Sequence, residues 1–313
     1  MSQGFLPLVL VSQIQRSGGS MMAQLLDGHP ELLVHPFEIH IGSPQKWDWP
    51  AFTLKESPQD WFAFLYEKKL EWFVANGYAK QGGNKFAANE IFPFDFSLQK
   101  LQSRFLVHCA EKKPILTQRQ ILDAYFQAFF EAWENHQPSG RERFVAGFTP
   151  RVAMYEPCVH RFLADYPDGK LISLVRDPCS WYASTVRHNR GHGNARLAIG
   201  EWLSCMHRIA HVADRQNVLV LIYEDVLRAP EASMRRVADF IGIAFDPILL
   251  TPTFLSQPVR PNSSFDVETY GINPEMIDRR NSLPAELTRA IEAAALPVYQ
   301  ELVSRHGLAS VAA

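Results

Sequence analysis

Cysteine is scarce in this 313-residue chain. Cys109, Cys158, Cys179 and Cys205 are widely spaced and form no Cys-x-x-Cys pair, which argues against both a disulfide framework and a zinc knuckle. An excess of either charge is also missing. Lys+Arg total 31 against 33 for Asp+Glu, a formal net charge of −2, so no broad basic field attracts nucleic acid or anionic lipid. An anionic ligand must therefore be met by a few placed cations. The amino terminus lacks a positive n-region, and the apolar stretch Phe5–Val11 is too short for a signal-peptide core with its cleavage site or for a spanning helix. The expectation is a cytoplasmic protein with no nucleic-acid and no membrane partner. Internal repeats and low-complexity tracts are absent as well. What is plentiful is apolar material, 47% hydrophobic against 20% charged, enough for one large core or two modest ones.

Three short apolar runs, Leu6–Ser12, Lys170–Val175 and Val218–Tyr223, are each followed by a polar turn and a helical pattern, with lesser strands at Glu31–Val34 and Phe144–Phe148. This predicts α/β alternation around a parallel sheet covered on both faces, where strands read as continuous apolar runs. Between Ile41 and Gln137 the pattern is helical and rich in aromatics, including Trp61, Phe62, Phe73, Tyr125, Phe129 and Trp133. It reads as an insertion at about 41–137 within a single domain spanning 1–313, its rings forming core or lining an acceptor pocket. Thr251–Tyr270, rich in Pro, Ser and Asn, reads as a long loop, and a last helix is expected around Pro284–Ser304.

Two segments carry chemistry. In the first, the strand Leu6–Ser12 runs through Arg16-Ser17-Gly18-Gly19-Ser20 into a helix expected over Met21–Asp27, with Gly28 placed as its cap. A glycine turn from strand to helix lets unpaired N–H groups and the helix dipole converge on an anion. A nucleoside-triphosphate loop would need a Lys-Ser/Thr pair after its glycines, and none is present. In the second, Asp177 suits an N-cap and Pro178 the first helical position, which leaves Arg176 at the strand edge. Ser184 returns to the helix face of Asp177 after nearly two turns, with Arg187 and His188 following. An arginine fork and a hydroxyl thus point to a second anion site. His188 and His192, and the group Cys205, His207 and His211, lack a recognisable zinc pattern, so no metal is expected.

Together these segments resemble the sulfotransferase superfamily that uses 3′-phosphoadenosine 5′-phosphosulfate (PAPS), in a bacterial-type form similar to its carbohydrate and tyrosylprotein branch. Arg16–Ser20 looks like the family's 5′-phosphosulfate loop, and Arg176 with Ser184 like its 3′-phosphate site. Asp27-Gly-His-Pro30, Thr149-Pro150, Tyr166-Pro-Asp-Gly-Lys170, Tyr223-Glu-Asp-Val226 with Pro230, and Phe240-Ile-Gly-Ile243 follow in the expected order. The resemblance implies a three-layer, P-loop-like α/β fold and transfer of a sulfuryl group from PAPS, with PAP as product and no metal, to a hydroxyl or amine of a small-molecule or carbohydrate acceptor.

It further implies that Ser17, Gly18, Gly19 and Ser20 hold the phosphosulfate while Arg16 stabilises charge on the leaving oxygen. A glutamate at about this place, past the second strand, removes the acceptor proton in that branch, so Glu38 is the first choice, with His40, on the same side of an extended segment, its competitor. Arg260 and Ser264 match a C-terminal loop that folds over the nucleotide, and Tyr223 is placed near the adenine. Two departures stand out: Phe148 occupies a position that is lysine in many relatives, with Arg151 the nearest cation, and Gly19 replaces a threonine. The competing readings are a nucleotide-dependent phosphotransferase, a sulfating enzyme that then eliminates sulfate, and a nucleotide-binding module without turnover.

Overall fold

The computed structural model describes residues 6–41, 49–78, 91–111, 113–115, 117–188, 193–260 and 270–308. In chain order the elements are β1 (Leu8–Val11), α1 (Gly19–Leu26), β2 (Leu32–Glu38), α2 (Pro58–Leu65), α3 (Lys69–Asn76), α4 (Leu98–Glu111), α5 (Gln118–Ala132), β3 (Phe144–Phe148), α6 (Arg151–Met154) and α7 (Glu156–Asp165). There follow β4 (Lys170–Val175), α8 (Pro178–His188), α9 (Ala195–Val212), β5 (Val218–Ile222), α10 (Tyr223–Arg228), α11 (Pro230–Ile241), β6 (Thr253–Phe254), β7 (Gln257–Pro258) and α12 (Ala285–His306), with 3-10 turns at Pro247–Leu250 and Pro274–Ser282.

Five parallel strands pair in the order β2-β3-β1-β4-β5. Alternation along each strand splits the interior in two. Leu8 and Leu10 of β1, Leu171 and Val175 of β4, and Val218 and Val220 of β5 enter one core with residues of α5, α8, α9 and α12. Val9, Val11, Ile172, Leu174, Leu219 and Leu221 enter the other, with residues of α1, α10 and α11. Both faces are covered, which is why these strands read as unbroken apolar runs. The neighbours β1 and β4 send their following helices to opposite faces, which opens a crevice at their carboxyl ends, where such sheets bind ligands.

Two boundaries differ from the sequence expectation for local reasons. The second strand continues past Val34 to Glu38 because β2 lies at the sheet edge, where the missing N–H of Pro36 leaves no ladder bond unmade. The register steps from Val34 opposite Ala146 to Glu38 opposite Phe148, so β2 carries two extra residues as a bulge. Likewise the first helix starts at Gly19 rather than Met21, since Gly18, at φ 93°, makes the turn and serves as N-cap.

Helices α2 to α5 lie between β2 and β3, and most of their aromatic rings are core: Trp61, Phe73, Tyr125, Phe129 and Trp133 are buried. Within the expected Thr251–Tyr270 loop, β6 and β7 form a small hairpin turning at Leu255 and Ser256, while Ser264 lies outside the described residues. Among the described residues no helix is long and apolar enough to cross a membrane.

Candidate active site

The glycine turn is held from below and from the side. A Cβ on Gly18 would meet the ring of Tyr223 at 2.6 Å, and one on Gly19 would lie 2.0 Å from Gln13 Nε2 and 2.2 Å from Phe148 Cε2. The two departures from the family pattern are thus one fitted pair, in which the Phe148 ring occupies the space a side chain at 19 would need. Around the turn, buried polar atoms have no partner among the described residues: both amide atoms of Gln13, Ser17 Oγ and Thr149 Oγ1. Native interiors rarely leave such atoms unmet, so this cluster marks where a polar ligand or water belongs. Helix α1 begins beside them, at Gly19 next to Gln13, and its first turn has no side-chain cap among the described residues.

The strand edge at Arg176 reaches this turn directly. Arg176 Nη1 donates to Arg16 O at 2.7 Å and Nη2 to Met276 O at 3.3 Å, while its guanidinium stacks on Tyr223 at 4.6 Å. Trp181 Nε1 donates to Gln15 O at 2.7 Å. Asp177 caps α8 as expected, accepting from Ser180 N at 2.8 Å, and its own N–H is held at 3.1 Å by buried Glu224. Ser184 is buried two turns along α8.

Four arginines share this region. Burial, then the charge of Arg176, lowers Arg16 to about 10, with Tyr223 acting the other way. Burial, then Arg176 and, more weakly, Arg187, lower Arg279, which no sequence motif marks. An anion placed among them would relieve their mutual repulsion. Arg260, the cation expected from the tail, stacks on Tyr270 at 5.5 Å. The side chain of Arg151 lies outside the described residues.

On the other side of the turn, one cavity is lined by both Ser20 and Glu38. The bulge aims Glu38: His35 Nδ1 donates to Phe37 O at 2.9 Å, and Ile39 N to Phe148 O at 2.8 Å. Beneath it His35 Nε2 meets Glu67 Oε1 at 3.1 Å, both side chains fully buried. Both ring nitrogens of His35 are thus engaged, one by a carbonyl and one by a carboxyl oxygen. Tyr125 Oη and the His40 N–H also donate to Glu67, at 3.2 and 2.6 Å. Among the described residues the cavity lining includes Glu38 and not His40.

A family model described as "Sulfotransferase family" matches residues 7–247. The chain belongs to the sulfotransferase family. The sulfotransferase domain of the olefin synthase of Synechococcus PCC 7002 is similar at 18% identity and a TM-score of 0.52, covering 96% of each chain. The sulfotransferase domain from the curacin biosynthetic pathway is similar at 18% identity and a TM-score of 0.50, covering 93% of this chain and 98% of its own. At these identities the likeness is one of fold. A search of curated protein sequences finds no significant match.

In this sulfotransferase the structure brings Arg16, Ser17, Gly18, Gly19, Tyr223 and Arg176 to one crevice, with Ser20 and Glu38 sharing the adjoining cavity. Gln13, Arg279, Glu67 and Trp181 escaped notice because their roles depend on contacts distant in sequence; Arg279, for example, comes in with a 3-10 turn that α8 holds through Ser180 Oγ to Ile277 O at 2.9 Å. Among the described residues no cluster of three or more His, Cys, Asp or Glu could hold a metal ion.

Proposed function

We propose that the protein transfers the sulfuryl group of PAPS to a hydroxyl or amine of a small-molecule or carbohydrate acceptor. The observation that carries this reading is the single cavity shared by Ser20, at the anion-binding turn, and Glu38, at the end of β2. PAPS supplies a sulfuryl group already activated by its phosphate leaving group. The residues fit it: a glycine cradle that a Cβ would fill, orphaned polar atoms around that cradle, and an arginine cluster one strand away.

The N–H groups from Ser17 to Ser20 and the Ser20 hydroxyl hold the 5′ end, and Arg16 answers the negative charge that grows on the leaving oxygen. A guanidinium does not give up its proton at accessible pH, so Arg16 acts by charge and hydrogen bonding. Arg176, Ser184 and Arg279 take the 3′-phosphate, and Tyr223 floors the turn. Glu38 accepts the acceptor's proton, with His40 kept as structural support through its N–H to Glu67. Arg260 and Ser264 belong to the tail that covers the nucleotide.

Calorimetry with adenosine 3′,5′-bisphosphate and with AMP tests the donor. Tight binding of the bisphosphate alone is expected, and equal weak binding of both overturns the assignment. Glu38→Gln is expected to keep bisphosphate affinity while losing about 10²–10⁴-fold in transfer rate. Unchanged transfer in that variant would remove Glu38 from the base role.

A further inference from the structure

The cavity beside Ser20 has a second polar end that transfer to a simple alcohol does not use. Ser20, Ala23, Gln24 and Asp27 all line it, spaced at i, i+3, i+4 and i+7 along one face of α1 and its cap. At 1.5 Å per residue, Gln24 lies about 6 Å along the axis from Ser20 and Asp27 about 10 Å. Between the two ends the walls are aromatic, with Phe73, Tyr78 and Phe254 the largest contributors, and Tyr78 and Phe254 stacked at 3.7 Å.

The far end is rich in acceptors. Gln24 Nε2 donates to Tyr78 Oη at 3.3 Å, and Gln24 Oε1 is buried with no partner among the described residues. Gln24 as a whole is 9% exposed. Asp27 adds a buried carboxylate, already accepting from Thr253 Oγ1 at 2.8 Å and Ser256 N at 3.0 Å. The lining thus contains two carboxyl groups, Asp27 and Glu38, and one histidine, His35, and among the described residues no lysine or arginine. A carboxylate or phosphate on the acceptor would bring only further acceptors to Gln24 Oε1 and Asp27 and leave the amide oxygen unmet, whereas an O–H or N–H would satisfy it.

We infer that the acceptor is an uncharged or cationic molecule carrying, at the end remote from the group that is sulfated, a second hydroxyl or amino group that donates to Gln24 Oε1 beside Asp27. This rests on the sulfuryl-transfer reading of the same cavity. Gln24 is then a specificity-determining residue. A site built to bond a donor rejects an analogue lacking it, because its own buried acceptor stays unpaired.

Four rigid probes of one size test this: trans-4-aminocyclohexanol, trans-1,4-cyclohexanediol, trans-4-methylcyclohexanol and trans-4-hydroxycyclohexanecarboxylate. Each is assayed as acceptor with PAPS on the full chain. The amine and the diol are expected to exceed the methyl compound by about tenfold or more in kcat/KM, with the carboxylate last. Amine above diol identifies the ammonium as the favoured donor, and the reverse identifies the hydroxyl; either order supports the inference. In Gln24→Leu the advantage over the methyl compound is expected to shrink to about twofold. A methyl compound used as well as the diol, a preferred carboxylate, an unchanged ratio in Gln24→Leu, or no use of any probe overturns the inference. Should Gln24→Leu not fold, the ranking in the unaltered protein decides. Calorimetric binding of adenosine 3′,5′-bisphosphate reports on the donor separately, so its retention with a failed ranking sinks the acceptor inference alone.

Discussion

Gly19 and Phe148 show how one side chain can decide its neighbour. A methyl group at 19 would fall 2.0 Å from Gln13 Nε2 and 2.2 Å from Phe148 Cε2, distances no packing tolerates. Gly19→Ala is therefore expected to destabilise the protein by about 1–3 kcal/mol. Combining it with Phe148→Leu, which removes the ring's share of the clash and leaves Gln13 to give way, should cost less than the sum of the two single changes by on the order of 1 kcal/mol. Denaturant unfolding of the four proteins measures the difference, and strict additivity would contradict the fitted pair. In the sequence these positions look like two unrelated losses, a missing lysine and a missing threonine. Their dependence on each other arises because β3 lies beside β1, a neighbour relation that the chain order conceals.

At the scale of elements, the end of β2 is held by a network reaching into α5. Burial alone would raise the Glu67 carboxyl, but the charge and hydrogen bond of His35 and the His40 N–H outweigh it and hold it below its ordinary 4.5. A carboxyl lowered on folding contributes its stability in full above its unfolded value and loses it as pH falls through the folded one. Stability is thus expected to drop as the pH falls below 4.5, and this acid limb should flatten in Glu67→Gln. At neutral pH the same change removes a fully buried carboxylate that meets His35 Nε2, Tyr125 Oη and the His40 N–H, and is expected to cost about 3–5 kcal/mol. Thermal unfolding from pH 3 to pH 7 checks both, and parallel curves for the two proteins would refute the pairing. The sheet strands were readable from the sequence because burial on both faces forces apolar runs such as Leu8–Val11 and Val218–Ile222. Glu67 was not, since nothing in Tyr66-Glu-Lys68 distinguishes a carboxylate bound for the interior from one bound for solvent. The bulge was hidden too, because Pro36 argues against a strand unless the strand is known to lie at an edge.

For the molecule as a whole, the crevice between β1 and β4 joins parts that otherwise belong to different layers: α1 on one face, α8 on the other, and the Pro274–Ser282 turn from the carboxyl-terminal region. A ligand filling it clamps both faces together, so adenosine 3′,5′-bisphosphate at about a hundred times its Kd should stabilise the fold by about 2.7 kcal/mol. AMP at the same concentration should raise the Tm far less, and Arg176→Ala should erase most of the gap; equal shifts for the two nucleotides in the unaltered protein would count against the clamp. The bond from Arg176 Nη1 to the carbonyl of Arg16 has one more consequence. Because the guanidinium of one turn is anchored on the main chain of the other, the spacing between the two is set before anything arrives. The crevice is then a fixed gauge, and molecules are sorted by whether their span matches it.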